Sequence, residues 1–217
     1  MTNDGNLSGV ENMRRDQLLL EAAERGDPGF RVYGWDGVWV TVGRFQSPER
    51  DLVDPCNTRW ILRPTGGKAV LHGHDVTVGL AVPLRLLVGV DSRSVKGVYR
   101  AVVAPIVVAL NACGVPAALA EETRHANTGM RTSDCFAFSS PNDVVDSSTG
   151  RKLCGCALRL TQTAVLVQAS IPNGPPLVDP CTVIVNADRH VACDWDASNF
   201  CSAFEGAMLD LVMRAVA

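Results

Sequence analysis

Apolar residues recur at helical spacing in three parts of the chain. In the first, Ser8 can cap a helix whose apolar positions continue until Gly26, a residue that favours a helix end. The second, residues 94–113, is almost entirely apolar and predicts a buried helix with a kink at Pro105. The third begins near Phe200. We therefore predict helices at the start, the middle and the end of the sequence.

Strand-like segments fill the regions between these helices. Residues 30–35 and 38–45 flank an Asp-Gly pair, which is typical of a hairpin turn. Residues 152–160 and 163–171 predict a second hairpin. Shorter strands are predicted at residues 60–62, 68–72 and 76–82. Because the strands group as hairpins, we predict an α+β fold in which helices flank a mainly antiparallel or mixed β-sheet.

Composition sets the scale of the molecule. The chain has 217 residues, of which 47% are hydrophobic, and its formal net charge is -3. This length is typical of one domain, so residues 1–217 are expected to form a single unit. The acidic balance, with Lys and Arg scattered along the chain, disfavours a nucleic-acid partner.

The sequence offers no evident membrane segment. Its first residues lack the basic and apolar stretches of a secretion signal. The best candidate for a membrane span, residues 102–112, is about half of the ~20 residues that a bilayer requires. We therefore expect a cytoplasmic protein with no membrane partner. Its eight cysteines are neither dense nor regular enough for a disulfide scaffold, so most are expected to be buried thiols.

Two short motifs combine charged residues with glycine. Residues 63–72 contain Arg63, Gly66, Gly67 and His72. Glycine lets main chain pack directly against a ligand, although a plain turn between two strands is the simpler interpretation.

In the second motif, Lys152 begins a predicted strand and is followed by small residues that include Gly155 and Ala157. A surface lysine beside a β-bulge would give the same pattern.

These motifs, together with Cys135-Phe136 and a following Gly-Arg-Lys, resemble the biotin/lipoate protein ligase superfamily. Within it the chain is most similar to lipoate-protein ligase A-like proteins of the Cys-dependent octanoyltransferase branch. The resemblance covers most of residues 12–171. It implies the catalytic-domain fold of these ligases and, since the chain ends soon after its last helix, no accessory carboxy-terminal ligase domain.

The resemblance also implies a set of site residues. Cys135 and Lys152 would be catalytic, and a nearby ammonium would lower the pKa of the thiol. The residues implied in substrate binding are Arg63, Gly66, Gly67, His72, Gly155 and Ala157. No metal and no cofactor are expected.

The implied reaction is an acyl transfer in protein lipoylation. Octanoyl would move from octanoyl-acyl carrier protein to Cys135, and then to a lysine of a lipoyl domain such as the glycine cleavage H protein or an E2 subunit. Lys152 would stabilise the oxyanion that develops in each step.

Three positions depart from the family pattern. Leu62 precedes Arg63 where paired arginines are usual, and Gly73 follows His72 where an aspartate is common, with Asp75 two positions later. Gln168 begins a Gln-Ala-Ser run where the octanoyltransferases usually have His-Gly-Ser.

Three alternatives remain open from the sequence. An ATP-dependent lipoate-protein ligase would form an acyl-adenylate with ATP and Mg, and the length of the chain weighs against it. A non-catalytic relative would bind acylated carrier domains without turnover. A zinc site would use the paired residues His72, His74, Cys154 and Cys156.

Overall fold

The computed structural model describes residues 2–91, 94–125, 132–190, 194–197 and 199–213. Its helices are α1 (Gly9–Arg25), α2 (Pro48–Asp51), α3 (Val95–Ala112) and α4 (Phe200–Met213). The first five strands are β1 (Thr2–Leu7), β2 (Gly29–Trp35), β3 (Trp39–Val42), β4 (Trp60–Leu62) and β5 (Val70–His72). The other five are β6 (Asp75–Pro83), β7 (Ala117–Leu119), β8 (Val144–Asp146), β9 (Lys152–Leu160) and β10 (Ala164–Pro172).

The strands form two sheets. The larger sheet has the order β1-β2-β6-β10-β9-β8-β7, and the smaller has the order β4-β3-β5. Two strand pairs, β1–β2 and β3–β4, are parallel, and the other strand pairs are antiparallel. The α+β prediction with a mixed sheet is confirmed.

Helices cover both faces of the larger sheet. α3 and α4 pack on one face, where Val98, Val102 and Phe204 join alternate residues of β10 in the main apolar cluster. α1 covers the other face through Leu20 and Ala23. Because successive side chains of a strand point to opposite faces, both faces of this one sheet are buried under helices.

The ends of α1 follow the sequence signals. The Ser8 hydroxyl accepts a hydrogen bond from the Glu11 N–H at 3.2 Å. Gly26 ends the helix with a φ of 112°, a left-handed conformation that favours glycine.

The first predicted hairpin is wrong. β2 pairs with β1 and β6, whereas β3 pairs with β4 and β5 in the other sheet. All four residues of β3 are buried, and Val40 and Val42 belong to an apolar cluster of the smaller sheet. The turn at residues 36–38 thus redirects the chain between sheets, and β3 buries its apolar side chains in the smaller one.

The second hairpin is confirmed and positions the site. β9 and β10 pair from Val165 with Leu160 to Ser170 with Gly155. Two rows of facing residues then cross the larger sheet from β9 to β2, on the face that α1 covers. The first row is Gly155, Ser170, Thr77 and Tyr33. The second row is Ala157, Gln168, Gly79 and Arg31.

α3 is longer than the candidate membrane span identified in the sequence. Within the described part of the chain it is the one helix whose length and composition would allow it to cross a membrane, with a mean hydropathy of 1.4 over 18 residues. The membrane-span candidate from the sequence, residues 102–112, covers only part of this helix, whereas the predicted helix at residues 94–113 is confirmed. In the structure the apolar stripe of α3, including Val98, Val102 and Ile106, packs against the larger sheet.

Candidate active site

A cavity lies over the rows of small and polar residues on the larger sheet. The space between its lining atoms is about 390 Å³, including solvent at its open mouth. Its lining includes six of the eight residues predicted for the site: Arg63, Gly67, His72, Cys135, Gly155 and Ala157. Lys152 and Gly66 do not line it. Met13, Tyr33, Trp35 and Val70 give the cavity much of its apolar wall.

Cys135 and Lys152 lie in direct contact. Lys152 Nζ lies 3.4 Å from Cys135 Sγ and donates a hydrogen bond of 2.7 Å to the carbonyl oxygen of the same residue. The Asp143 carboxylate lies 2.9 Å from the ammonium. Because the Lys152 side chain is only 6% exposed, the alternative of a surface lysine is wrong.

The charges at this cluster act in opposite directions. Burial raises the pKa of the Cys135 thiol, while Lys152 and Arg63 lower it. Burial alone would lower the pKa of Lys152, but the negative charges of Cys135 and Asp143 raise it above its ordinary value. The buried cation of Lys152 therefore opposes the effect of burial on Cys135 and favours the thiolate once the thiol loses its proton.

Main-chain pairing with Ala69, the residue before β5, fixes the position of Cys135. Its N–H donates to the Ala69 carbonyl at 2.9 Å, and the Ala69 N–H donates to the Ser133 carbonyl at 2.8 Å. Gly155 lies directly opposite, where an added Cβ would be 2.9 Å from Cys135 Sγ. Glycine at this position therefore makes room for the sulfur.

Arg63 organises the glycine loop. It is buried and donates hydrogen bonds to the carbonyl oxygens of Thr41, Gly66 and Lys68. Burial lowers the pKa of its guanidinium to about 10. Gly67 has a φ of 84° and reaches the cavity, whereas Gly66 contributes its carbonyl to Arg63.

His72 lies at another part of the wall. Its Nε2 is 2.9 Å from the Thr41 hydroxyl, its Nδ1 is 2.7 Å from Asp75, and its ring stacks on Trp35 with centroids 3.9 Å apart. Burial would raise the pKa of Asp75, but His72 and the Ser170 hydroxyl lower it to about 2. Asp75 thus contacts His72, although the position at which the family commonly has an aspartate is occupied by Gly73 and Asp75 lies two positions later.

The zinc alternative is wrong for these residues. The nitrogens of His72 are occupied by Thr41 and Asp75, and Cys154 contacts Cys156 at 3.3 Å in the core. Across the described ranges, no three His, Cys, Asp or Glu side chains converge as metal ligands would.

Sequence reasoning missed a buried polar network beside the cavity. Gln168 Nε2 donates to Asp16 at 2.6 Å, and its Oε1 accepts from the Thr65 hydroxyl at 2.7 Å. Arg31 pairs with the same Asp16 at 2.7 Å. Gln168 therefore links α1 to the glycine loop. The sequence does contain one signal for this network, because Arg31 is a charged residue at a strand position that faces the protein interior.

Asp143, the partner of Lys152, was also missed. It lies in a turn before β8, where an aspartate is unremarkable, and no local pattern connects it with Lys152.

The chain is similar in sequence to known proteins. The chain is 30% identical over 176 residues to octanoyltransferase LipM of Symbiobacterium thermophilum, a match that covers 77% of this chain and 62% of that protein. It is 31% identical over 175 residues to octanoyltransferase LipM of Exiguobacterium sp., covering 76% and 62% respectively. The chain thus spans less than two thirds of the length of these relatives.

The fold is also found in a solved structure. A bipartite lipoate protein ligase of Thermoplasma acidophilum, studied with its E2 lipoyl domain, superposes with a TM-score of 0.66 at 19% identity. The match covers 96% of this chain and 82% of that one. The family model of the lipoyl protein ligase A/B catalytic domain matches residues 8–190. The resemblance inferred from the sequence is confirmed, and the chain belongs to the lipoyl protein ligase A/B catalytic domain family.

Proposed function

We propose that this protein is an octanoyltransferase that moves octanoyl from acyl carrier protein to a lysine of a lipoyl domain. The observation that carries the proposal is the 3.4 Å contact between Lys152 Nζ and Cys135 Sγ at the wall of a mostly apolar cavity. The relatives named above are octanoyltransferases at about 30% identity, which supports the same class of reaction.

In the first step the Cys135 sulfur attacks the thioester carbonyl of the donor. The new bond joins Cys135 Sγ to the acyl carbon, and the thioester bond to the carrier breaks. The thiol proton passes to the departing carrier thiolate, so the step needs no external acid, oxidant or nucleotide. Lys152 remains protonated and stabilises first the thiolate and then the oxyanion by its charge.

In the second step a lysine amine of the acceptor domain attacks the acyl-enzyme. An amide forms, the Cys135 thioester breaks, and the amine proton returns to the sulfur. The donor and the acceptor therefore use the same cation in turn, and the enzyme returns to its starting state.

The other site residues hold the acyl chain in this proposal. Gly67, Gly155 and Ala157 leave room for the chain near the sulfur, and His72 forms part of the wall beyond them. Arg63 acts on the substrate by fixing the glycine loop, to which Gly66 contributes a carbonyl. The glycine cleavage H protein and E2 subunits are the acceptors to test first, and the cytoplasm is the proposed location.

Intact-mass measurement tests the proposal directly. Protein incubated with octanoyl-acyl carrier protein and no nucleotide should gain the mass of one octanoyl group, and a lipoyl domain added afterwards should remove it. Cys135→Ala should abolish the gain. Cys113→Ala is the matched control, because Cys113 is a half-buried thiol at the end of α3 that does not line the cavity.

Other outcomes identify the alternatives. A mass gain that persists in Cys135→Ala would contradict the covalent step. Transfer to the lipoyl domain only with free lipoate, ATP and Mg would indicate a lipoate-protein ligase. Tight binding of the acylated carrier without transfer would indicate a non-catalytic relative.

A further inference from the structure

The segment after β10 returns to the loop that carries Cys135. Within this segment, Ile184 pairs with Leu52 and packs in the apolar cluster of the smaller sheet. At its end, His190 Nε2 donates a hydrogen bond to Asp134 Oδ2 at 2.8 Å. The His190 side chain is 5% exposed and Asp134 is fully buried. A buried contact across 56 positions therefore joins this segment to the residue before the candidate nucleophile.

Asp134 spans the turn that contains Cys135. Its Oδ1 accepts the Phe136 N–H at 3.0 Å, so the carboxylate contacts the main chain on the far side of the cysteine. The Asp134 N–H donates to the Thr132 hydroxyl, which in turn donates to the Asn186 carbonyl at 2.6 Å. The returning segment thus holds the loop at two points.

We propose that His190 is a positioning residue for Cys135, which it orients by fixing the Asp134 carboxylate. The sequence patterns gave no role to this part of the chain, since the resemblance ended near residue 171. This inference rests on the proposed function only in treating Cys135 as the reactive residue. The contacts between His190, Asp134 and the Cys135 loop are independent of that function.

The contact has an electrostatic consequence as well as a geometric one. The charged groups that face Cys135 are Lys152 from β9, Arg63 and Lys68 from the glycine loop, Asp143 from the turn before β8, and Asp134 itself. His74 also faces His190, with ring centroids 6.4 Å apart.

Asp134 is one of two carboxylates that raise the pKa of the Cys135 thiol. A hydrogen bond from His190 draws negative charge on Asp134 toward the imidazole and away from the sulfur. Loss of His190 should therefore make the thiolate harder to form, in addition to loosening the turn.

The rate of Cys135 alkylation by iodoacetamide, followed across pH by peptide mass, tests this inference in the full chain. His190→Ala should move the midpoint of alkylation to higher pH and slow the reaction at neutral pH by roughly 3- to 10-fold, since one pKa unit changes the thiolate fraction tenfold. His190→Gln should restore most of the rate, because its amide N–H can still donate to Asp134. Asp134→Asn should move the midpoint to lower pH, because it removes the charge.

Arg189→Ala is the matched control, since Arg189 is the exposed neighbour of His190 and should leave the profile unchanged. A His190→Ala protein that loses thermal stability but keeps the wild-type alkylation profile would overturn the inference. A His190→Gln protein that is alkylated as slowly as His190→Ala would also overturn the inference. If His190→Ala does not fold, the alkylation profiles of His190→Gln and Asp134→Asn provide the test.

Alkylation needs no acyl donor, so the two proposals fail separately. If the wild type alkylates in the expected way but never accepts octanoyl, the proposed function fails and the positioning role of His190 stands.

Discussion

The cavity joins two buried charged clusters that are built differently. One, which we call the histidine end, consists of Trp35, His72 and Asp75. There the Asp75 carboxylate accepts hydrogen bonds from His72 and from the hydroxyls of Thr77 and Ser170, at 2.6 to 2.9 Å. Its charge is thus satisfied from several sides by groups of the protein itself.

The other cluster, the nucleophile end, consists of Cys135, Asp143 and Lys152. Here the ammonium pairs with Asp143 but also lies 3.4 Å from a sulfur that lines the cavity. Part of its charge is therefore directed at an atom that can react.

The difference separates two uses of a buried charge. A carboxylate whose charge is met by several hydrogen bonds contributes to the stability of the fold, whereas a cation that also faces a cavity can stabilise charge that develops on a substrate. Changes at the histidine end should therefore act mainly on stability, and changes at the nucleophile end mainly on rate.

The largest expected effect is that of Lys152→Met. Removing the cation should slow acyl-enzyme formation by about 10²- to 10³-fold, the usual loss when one preorganised electrostatic group is deleted. Single-turnover mass measurement with octanoyl-acyl carrier protein gives the rate. Because the change also removes the cation that pairs with Asp143, which keeps its hydrogen bonds from Ser140, the rate should be measured where an unfolding curve indicates folded protein.

Lys96→Met is the control for this change, because Lys96 is half-exposed on α3 and pairs with Glu121. Its rate should equal that of the wild type. A Lys152→Met enzyme that acylates as fast as this control would remove the distinction between the two ends.

At the histidine end we expect a pH-dependent loss of stability. The pKa of Asp75 is lowered to about 2 in the fold, against about 3.9 for an unfolded chain, so ionised Asp75 contributes roughly 2 to 3 kcal/mol to the free energy of unfolding. Because the folded pKa is the lower one, this contribution is present above pH ~4 and disappears as the pH falls toward ~2.

Urea unfolding of Asp75→Asn between pH 6 and pH 2 measures this contribution. The variant should be less stable than the wild type at pH 6, and the gap should shrink toward pH 2, while most of the acylation rate is retained. Asp27→Asn, at an exposed position before β2, is the control and should follow the wild type. A gap that stays constant with pH would mean that the charge of Asp75 is not what stabilises this cluster.

The parts of the molecule also differ in how well the sequence predicts them. The helices and the β9–β10 hairpin follow from local periodicity, and the contact of Lys152 with Cys135 was anticipated through the family resemblance. The β2–β3 hairpin failed because a turn signal does not specify which strands pair. The partners of Gln168 lie 152 and 103 residues away, so nothing near it in sequence could reveal Asp16 or Thr65.

The smallest expected effect concerns Gly155, which connects the two ends. It faces Cys135 directly and pairs on the sheet with Ser170, whose hydroxyl reaches Asp75. In Gly155→Ala the new Cβ would lie 2.9 Å from Cys135 Sγ, so the sulfur must move. We expect a loss of about 1 to 2 kcal/mol in the free energy of unfolding from overpacking, together with slower acylation.

Gly206→Ala is the matched change without a close contact. Gly206 lies inside α4 with open space around it, so alanine should stabilise the protein by roughly 0.5 to 1 kcal/mol. Urea unfolding and the acylation assay on both variants give the comparison. If Gly155→Ala matched Gly206→Ala in both measurements, the Cys135 sulfur could move away from the new Cβ at no cost. The nucleophile end would then not depend on glycine at this position.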